Sequence, residues 1–173
     1  MAEIIDYVPK QHMESLRRLL TAYLEEGSIS LKEAGLEEDI PAVVEDDLAH
    51  TERFAPPNGR LLLVVEDGDV LGCGALRLIA PGVAEIKRMY LRPDARGRGL
   101  GRALLDRLVA EARNRGCHEA RLDTGWFMTD AQRLYRAAGF TECEPYAESE
   151  VPADYDFRWK YMRRDLTEDT PER

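Results

Sequence analysis

The sequence predicts an α/β (α+β) domain with a mixed sheet, in the order β-α-α-β-β-β-α-β-α-β-β. Runs of strand length alternate with amphipathic runs of helix length along the chain. In the middle, three strand-like runs follow one another with only turn residues between them, which indicates antiparallel neighbours. With 173 residues, 44% of them hydrophobic, the chain is large enough for one domain with a substantial core. We expect this domain to span residues 2–166, followed by a polar tail at 167–173.

The first part of the chain predicts one strand and two helices. The β-rich run EIIDYV forms the strand, which Pro9 ends. In residues 11–25 the apolar side chains recur every three or four positions, which is typical of an amphipathic helix. We expect this helix to end at Gly27 and GSISLKEAG to be a loop. A weaker second helix follows in LEEDIPAVVEDDLAHTERF, where Pro41 fits only in the first turn.

The remaining elements follow from turn residues and from periodicity. Asp-Gly-Asp joins RLLLVVED to VLGCGALRLI as a β-hairpin, and a Pro-Gly turn leads into VAEIKRMYL as the next strand. Residues 98–115 then form a long helix whose C-terminus Gly116 caps. The other predicted elements are a strand in CHEARLDT, a helix in MTDAQRLYRAAG, and strands in FTECEPY and DFRWKYMRRDL.

Charge and composition exclude several classes of protein. The formal net charge of −9 makes nucleic acid an improbable partner, because a phosphate backbone would be repelled. No apolar run approaches the roughly 20 residues of a membrane span, and the first residues carry charges where a signal peptide would be apolar. We therefore expect a cytoplasmic protein with no membrane partner. Cys73, Cys117 and Cys143 are widely spaced and have no histidine pair nearby, which predicts neither disulfides nor a metal site.

One stretch of the chain departs from this acidic average. Residues 87–102 contain a single acid, Asp94, among six basic residues: Lys87, Arg88, Arg92, Arg96, Arg98 and Arg102. A basic pocket in an acidic protein suits a small polyanionic ligand better than a polymer.

The run RGRGLG at residues 96–101 lies between a predicted strand and a predicted helix. A helix N-terminus offers unsatisfied N–H groups, and glycines let the backbone come close, so such a turn is typical of phosphate binding. The P-loop pattern GxxxxGK[ST] is absent, and neither possible register completes GxGxxG. The pattern that fits is R-x-x-G-x-G, met by Arg96, Gly99 and Gly101.

With these motifs the chain resembles the GNAT superfamily of N-acetyltransferases, in a bacterial-type subgroup of unassigned substrate. IKRMYLRP and RGRGLG match that family's acyl-CoA pyrophosphate site, and LDTGWFMTDAQRLYRAAGF matches the downstream unit ending in LYxxxGF. The resemblance covers most of the chain and implies a mostly antiparallel central sheet flanked by helices, with acetyl-CoA as cosubstrate and no metal. It places the cofactor-binding residues at Met89, Tyr90, Leu91, Arg96, Gly97, Arg98, Gly99, Leu100, Gly101 and Arg102.

The resemblance also implies a role for each of these residues. The turn would hold the pyrophosphate, while the backbone of Met89, Tyr90 and Leu91 would pair with the pantetheine arm as a strand does. Tyr135 would give a proton to the departing sulfur, although it also fits as an ordinary residue of the helix's apolar stripe. For Arg98, a solvated surface charge is as good an interpretation as a ligand contact.

The base is harder to predict. Deprotonating a lysine-type amine at pH 7 costs roughly 4.6 kcal/mol, whereas an α-amino group costs about 1 kcal/mol. Glu85 is the first candidate, because many GNAT enzymes have an acid there that acts through water. Asp123, at the end of the neighbouring strand, is the second. Charged residues in strands also occupy solvent-facing positions, so a purely surface position is an equal interpretation for both.

The acceptor cannot be carried over from the family. Many members have an asparagine seven positions before the tyrosine, and Met128 stands there in this chain. The segments GSISLKEAG and YAESEVPADY correspond to the family's substrate walls. The acidic residues in and directly after these segments favour a cationic acceptor; they are Glu33, Glu37, Glu38, Glu148, Glu150 and Asp154.

These observations lead to an acetyl-CoA-dependent N-acetyltransferase that transfers an acetyl group directly to a primary amine of a small molecule or peptide. A relay through Cys73 is disfavoured, because its strand offers no helix N-terminus or basic partner. The alternative is a non-catalytic acyl-CoA-binding sensor or interaction module. A homodimer is compatible with the fold.

Overall fold

A twisted sheet of seven strands passes through the molecule. The computed structural model describes residues 1–167, except for the side chains of residues 156 and 157. The strands are β1 (Glu3–Asp6), β2 (Gly59–Glu66), β3 (Asp69–Ala80), β4 (Val83–Leu91), β5 (Glu119–Thr124), β6 (Thr141–Cys143) and β7 (Lys160–Asp165). The helices are α1 (Pro9–Glu33), α2 (Ile40–Ala49), α3 (Leu100–Asn114) and α4 (Thr129–Ala137). This order confirms the predicted one. Apart from Thr167, the predicted polar tail lies outside the described residues.

The spatial order of the strands is β1-β2-β3-β4-β5-β7-β6. Neighbours run antiparallel throughout, except for β4 and β5, which are parallel. The β4–β5 ladder joins only residues 83–85 to residues 119–121, although both strands continue further. The two strands therefore diverge halfway along the sheet and leave a gap.

A backbone irregularity in β4 marks the start of this divergence. Arg88 has a left-handed conformation, with φ of 55°, and the β3–β4 register shifts between Cys73 and Ala75. A non-glycine residue with positive φ in a strand is typical of a β-bulge, which bends the strand and turns a side chain out of the regular alternation. The bulge lies directly before the predicted pantetheine segment.

Helices cover both faces of the sheet. Alternate residues of β2 show the division, because Leu61 and Leu63 pack under α1 and α2, whereas Leu62 and Val64 pack under α3. All four are buried, which explains why β2 reads as a continuous apolar run.

The predicted end of the first helix is wrong. α1 continues through Gly27 to Glu33, so most of the expected loop GSISLKEAG is helical. The absence of a side chain at Gly27 allows close packing, since a Cβ at this position would come within 3.4 Å of the Phe127 ring. Leu31, in the added turns, is buried. Tertiary contacts of the helix thus outweigh the low helix propensity of a single glycine.

Other predicted bounds were too long. The second helix covers only Ile40–Ala49 and is followed by a 3₁₀ helix at Thr51–Phe54, β6 covers only three residues of FTECEPY, and β7 begins at Lys160 because Ala153–Arg158 form a 3₁₀ helix.

Asp39 caps α2 by accepting a hydrogen bond from the Ala42 amide at 3.1 Å, with Pro41 in the first turn. Asp67 and Gly68 both have positive φ, as the two-residue turn between β2 and β3 requires. Among the described helices, none has the length and apolar character needed to cross a bilayer.

Candidate active site

A cleft of about 850 Å³ opens where β4 and β5 diverge. Its two ends have different construction. We call one the turn end, which is lined by Met89, Tyr90, Leu91, Arg96, Gly97, Gly99, Leu100, Gly101 and Arg102. We call the other the charged end, which is lined by side chains including Tyr23, Glu38, Asp47, Lys87, Arg88, Asp123, Phe127, Glu150, Tyr155 and Trp159. Tyr135 also lines the cleft. The predicted site residues thus meet in one cavity, except for Glu85 and Arg98, which are not among its lining residues.

The glycine-rich turn has the backbone geometry that a close ligand requires. Gly97 and Gly99 have φ of 73° and 77°, and no atom lies within 4 Å of a Cβ built at either position. Gly99 is the N-cap of α3 and has no side chain to cap the helix. The Ala103 amide donates the first hydrogen bond of the helix, to the Gly99 carbonyl at 3.0 Å. The amides of the first turn of α3 are therefore available to an anion, aided by the helix dipole.

The arginines of this turn are held by carboxylates. Arg96 makes two hydrogen bonds to Glu26 of α1, at 2.8 and 2.7 Å, and lies 5.5 Å from the centre of the Tyr90 ring. This pairing lowers the pKa of Glu26. Arg98 instead contacts Glu66, at 2.7 Å. Of the two, Arg96 lines the cleft and bridges it to α1.

The β4 segment after the bulge has an open edge toward the cleft. The ladder with β5 ends at residues 85 and 121, so the edge of Met89, Tyr90 and Leu91 that faces β5 has no strand partner. An extended ligand with amide groups can add to such an edge by main-chain hydrogen bonds. The Tyr90 hydroxyl donates a hydrogen bond to Glu26, at 3.3 Å, so the Tyr90 side chain also links β4 to α1.

Tyr135 projects from α4 into the cleft between the two ends. It is 5% exposed, and burial raises the pKa of its phenol. The phenol is therefore protonated near neutral pH and can donate a proton. Its ring also packs against Phe140, at 6.1 Å between centroids, so Tyr135 is at once a core residue and a cleft residue.

Asp123, the last-but-one residue of β5, presents a fixed carboxylate to the charged end. The Trp159 indole donates a hydrogen bond to Oδ1, at 3.0 Å. Oδ2 receives a hydrogen bond from the Ser149 hydroxyl, at 3.3 Å, and lies 3.7 Å from the Lys87 ammonium. Two groups of the loop before β7 and one of β4 thus orient this carboxylate.

Glu85 has a different environment. It lies on the part of β4 that still pairs with β5, and it is completely buried. Its Oε1 accepts a hydrogen bond from the Arg77 Nε, at 2.9 Å, whereas its Oε2 has no hydrogen-bond partner among the described residues. The Lys87 ammonium, 3.6 Å from Oε1, separates Glu85 from Asp123. The role of Glu85 as base stays a prediction, and Asp123 is the candidate carboxylate that lines the cleft.

A buried charge network supports the charged end, and sequence reasoning missed it. Arg88 makes two hydrogen bonds to Asp47 of α2, both at 2.7 Å. Glu150 lies 3.0 Å from both Arg53 and Arg77, and 3.1 Å from Lys87. Burial alone would raise the pKa of Glu150, but Lys87, Arg77 and Arg88 together outweigh it and lower that pKa. No sequence motif connects these positions. The sequence did offer one indication of buried charge pairs, the adjacent Lys87 and Arg88 within an apolar strand pattern.

Both segments expected to form substrate walls reach the cleft. Ser30 and Leu31 line it from α1, and residues 150–152 line it from the loop before β7. Of the six acidic residues proposed for these walls, Glu38 and Glu150 are lining residues. Met128, at the family's asparagine position, also lines the cleft.

None of the three cysteines is among the residues that line the cleft. Cys73 is completely buried, which raises the pKa of its thiol to about 12, and it donates a hydrogen bond to the Arg88 carbonyl. Such a thiol carries little thiolate at neutral pH and is a poor nucleophile. Within residues 1–167, no group of three His, Cys, Asp or Glu side chains is placed to share a metal ion.

Comparison with known proteins shows the family to which the chain belongs. The model of the acetyltransferase (GNAT) family matches residues 13–140. An uncharacterized N-acetyltransferase of Schizosaccharomyces pombe is 32% identical over 145 residues, which cover 82% of this chain and 84% of that protein.

Two solved structures show the same fold. A GNAT-family acetyltransferase from Staphylococcus aureus has a TM-score of 0.76 at 19% identity, covering 96% of this chain and 99% of the other. The PaiA N-acetyltransferase of Thermoplasma acidophilum, crystallised with coenzyme A, has a TM-score of 0.70 at 18% identity, covering 95% and 99%. The chain therefore belongs to the GNAT family of acetyltransferases and is an acyltransferase.

Proposed function

We propose that this acyltransferase uses acetyl-CoA and transfers the acetyl group directly to a primary amine of a small molecule or peptide. One observation carries the proposal. The glycine turn, the open β4 edge and Tyr135 line a single cleft whose far end holds an oriented carboxylate, Asp123. A cytoplasmic location, a single domain over residues 2–166 and a homodimer stay predictions.

The turn end fits two chemical parts of a coenzyme A thioester, the pyrophosphate and the pantetheine arm. The open amides at the N-terminus of α3 suit the pyrophosphate, and Arg96 can exchange Glu26 for a phosphate oxygen. The unpaired edge at residues 89–91 suits the two amides of pantetheine. The Thermoplasma acidophilum protein, which has the same fold, was crystallised with coenzyme A, and this supports the assignment.

The proposed chemistry needs one base and one acid. The amine nitrogen forms a bond to the acetyl carbon while the carbon–sulfur bond breaks. Asp123 takes the proton released by the amine, directly or through a water molecule, because it is the carboxylate oriented at the cleft. Tyr135 supplies the proton to the sulfur, because its buried phenol is protonated. A backbone N–H of Met89 or Leu91 would polarise the acetyl carbonyl.

A thiol-release assay with an amine panel tests this function. The protein is incubated with acetyl-CoA and, separately, with amino acids, amino sugars, di- and polyamines and peptides, while free coenzyme A thiol is followed. We expect thiol release that depends on both enzyme and one class of amine, with the acetylated amine detected by mass spectrometry. Acetyl-CoA binding without thiol release from any amine would favour the non-catalytic sensor.

A further inference from the structure

A second, much smaller cavity lies in the gap between β4 and β5. Its volume is about 20 Å³. Residues 86–89 of β4 and residues 123 and 124 of β5 line it, all of them beyond the paired part of the two strands. The other lining residues are Tyr23, Met128 and Tyr135, which also line the cleft, so the two cavities adjoin. A buried water molecule needs roughly 10–15 Å³. The small cavity therefore has room for one water molecule and none for a substrate.

Thr124, the last residue of β5, brings an unsatisfied hydroxyl group to this cavity. The residue is 3% exposed, and its Oγ1 is buried and has no hydrogen-bond partner among the described residues. A buried hydroxyl without a partner costs free energy, and native structures usually supply a protein atom or an ordered water molecule. Because Thr124 lines the cavity, a water molecule there would satisfy Oγ1.

The same cavity joins the two faces of the sheet. Side chains alternate along β5, so Thr124 lies on the face of Leu122, which packs in one core cluster with Tyr135. The Asp123 side chain lies on the opposite face, beside Lys87. The proposed acid and the proposed base are therefore on opposite faces, and both line the small cavity in the gap. A water molecule there has Thr124, Asp123 and Tyr135 as polar neighbours, within the two to four that a buried water requires.

We propose that Thr124 is a positioning residue: it holds a water molecule in the gap, and this water returns the proton from Asp123 to Tyr135 after each acetyl transfer. The inference rests on the proposed function. In that reaction Asp123 ends with the proton of the amine, and Tyr135 ends as a phenolate after protonating the sulfur.

The proton return balances without a further reactant. The water accepts the proton of the Asp123 carboxyl and donates one of its own to the Tyr135 oxygen, so that carboxylate, phenol and water are all restored. Tyr135 is 5% exposed, and the cleft that it lines would be filled by coenzyme A. The gap between β4 and β5 is then the route to the phenol that the ligand leaves open.

Thr124→Val tests the water site independently of activity, since valine keeps the shape of the side chain and lacks the hydroxyl. If Oγ1 had no partner, its removal would leave the melting temperature unchanged or higher. If Oγ1 holds a water molecule, its removal takes away one hydrogen bond of that water, and we expect the melting temperature to fall by about 2–4 °C. Crystals of the unmodified protein should show the water within hydrogen-bond distance of Oγ1, and crystals of Thr124→Val should not.

The proton return is tested by following free thiol with time, at saturating acetyl-CoA and with an amine that the unmodified protein accepts. In Thr124→Val we expect a first turnover at the unmodified rate and then a steady state about tenfold slower, because only the return of the proton is impaired. The fast phase should release one thiol per enzyme molecule. Thr124→Ser keeps the hydroxyl and should keep the steady-state rate.

Thr141→Val is the matched control, because Thr141 is exposed and lines neither cavity. It should keep both the melting temperature and the steady-state rate. Three results of Thr124→Val overturn the inference and leave the proposed function standing: an unchanged or higher melting temperature, an unchanged steady-state rate, or a first turnover slowed as much as the steady state. Crystals of the unmodified protein without the water overturn it as well. No thiol release by the unmodified protein with any amine overturns the proposed function, and the proton return with it.

Discussion

The turn end of the cleft comes from one continuous stretch, residues 89–102, whereas the charged end collects side chains from α1, α2, β4, β5 and the loop before β7. The turn end presents mainly backbone, in the form of open amides and a strand edge. The charged end presents side chains, each held by partners far away in the sequence, as Asp47 and Arg88 hold each other across 41 positions.

This difference separates two kinds of recognition. A backbone site needs the correct φ and ψ and tolerates many side chains, so it suits a ligand part that is shared across a family. A side-chain network depends on every member, because removing one partner of a buried pair leaves an unpaired charge. The charged end is accordingly where this chain can differ from its relatives.

Tyr135 lies where the two ends meet, and removing its hydroxyl should give the largest effect. We expect Tyr135→Phe to lower kcat by roughly 10²- to 10⁴-fold, the usual contribution of a positioned acid, with coenzyme A affinity unchanged. Steady-state thiol release and calorimetric binding of coenzyme A measure the two quantities. Tyr7→Phe is the control, since the Tyr7 hydroxyl is buried and has no hydrogen-bond partner in the described structure. If kcat is unchanged, the acid is another group.

The next effect should be confined to the charged end. Trp159→Phe keeps an aromatic ring but removes the N–H that binds Asp123. A hydrogen bond to a charged group contributes about 1.5–3 kcal/mol, so kcat/KM for the amine should fall about 10- to 100-fold, while coenzyme A affinity is kept.

Trp126→Phe is the matched control, because Trp126 packs against Trp159 at 5.9 Å and has no hydrogen bond to Asp123. Equal losses in both variants would mean that ring packing matters and that the Trp159 hydrogen bond does not orient Asp123.

The smallest effect should be confined to the turn end. In Gly99→Ala the added Cβ has open space but an unfavourable φ of 77°, so both stability and turn geometry suffer. We expect a loss of about 1–2 kcal/mol in the free energy of unfolding and, from the disturbed turn, about tenfold weaker coenzyme A binding.

Gly116→Ala separates these two consequences. Gly116 has nearly the same φ, 75°, with the same open surroundings, at the other end of α3. It should lose similar stability on chemical denaturation and keep its coenzyme A affinity. A similar loss of affinity in both variants would contradict a local role of the turn.

The local parts of the site were predictable because their signals are local. R-x-x-G-x-G between a strand and a helix identified the turn, and the structure gives Gly99 of this pattern a positive φ, as it does the neighbouring Gly97. The order of helices and strands followed from periodicity and turn residues. The end of α1 was missed because the reason for Gly27, its contact with Phe127, lies a hundred residues away in sequence.

The sequence by itself determined the element order, the family and the turn that faces the donor, because each of these depends on residues close together along the chain. Only the tertiary structure decided that β4 and β5 separate after three paired residues, that Asp123 rather than Glu85 lines the cleft, and that Glu150 lies beside Lys87, Arg53 and Arg77. Pairing of charges and exposure to a cavity depend on which distant segments are packed together, and a linear pattern does not contain those distances.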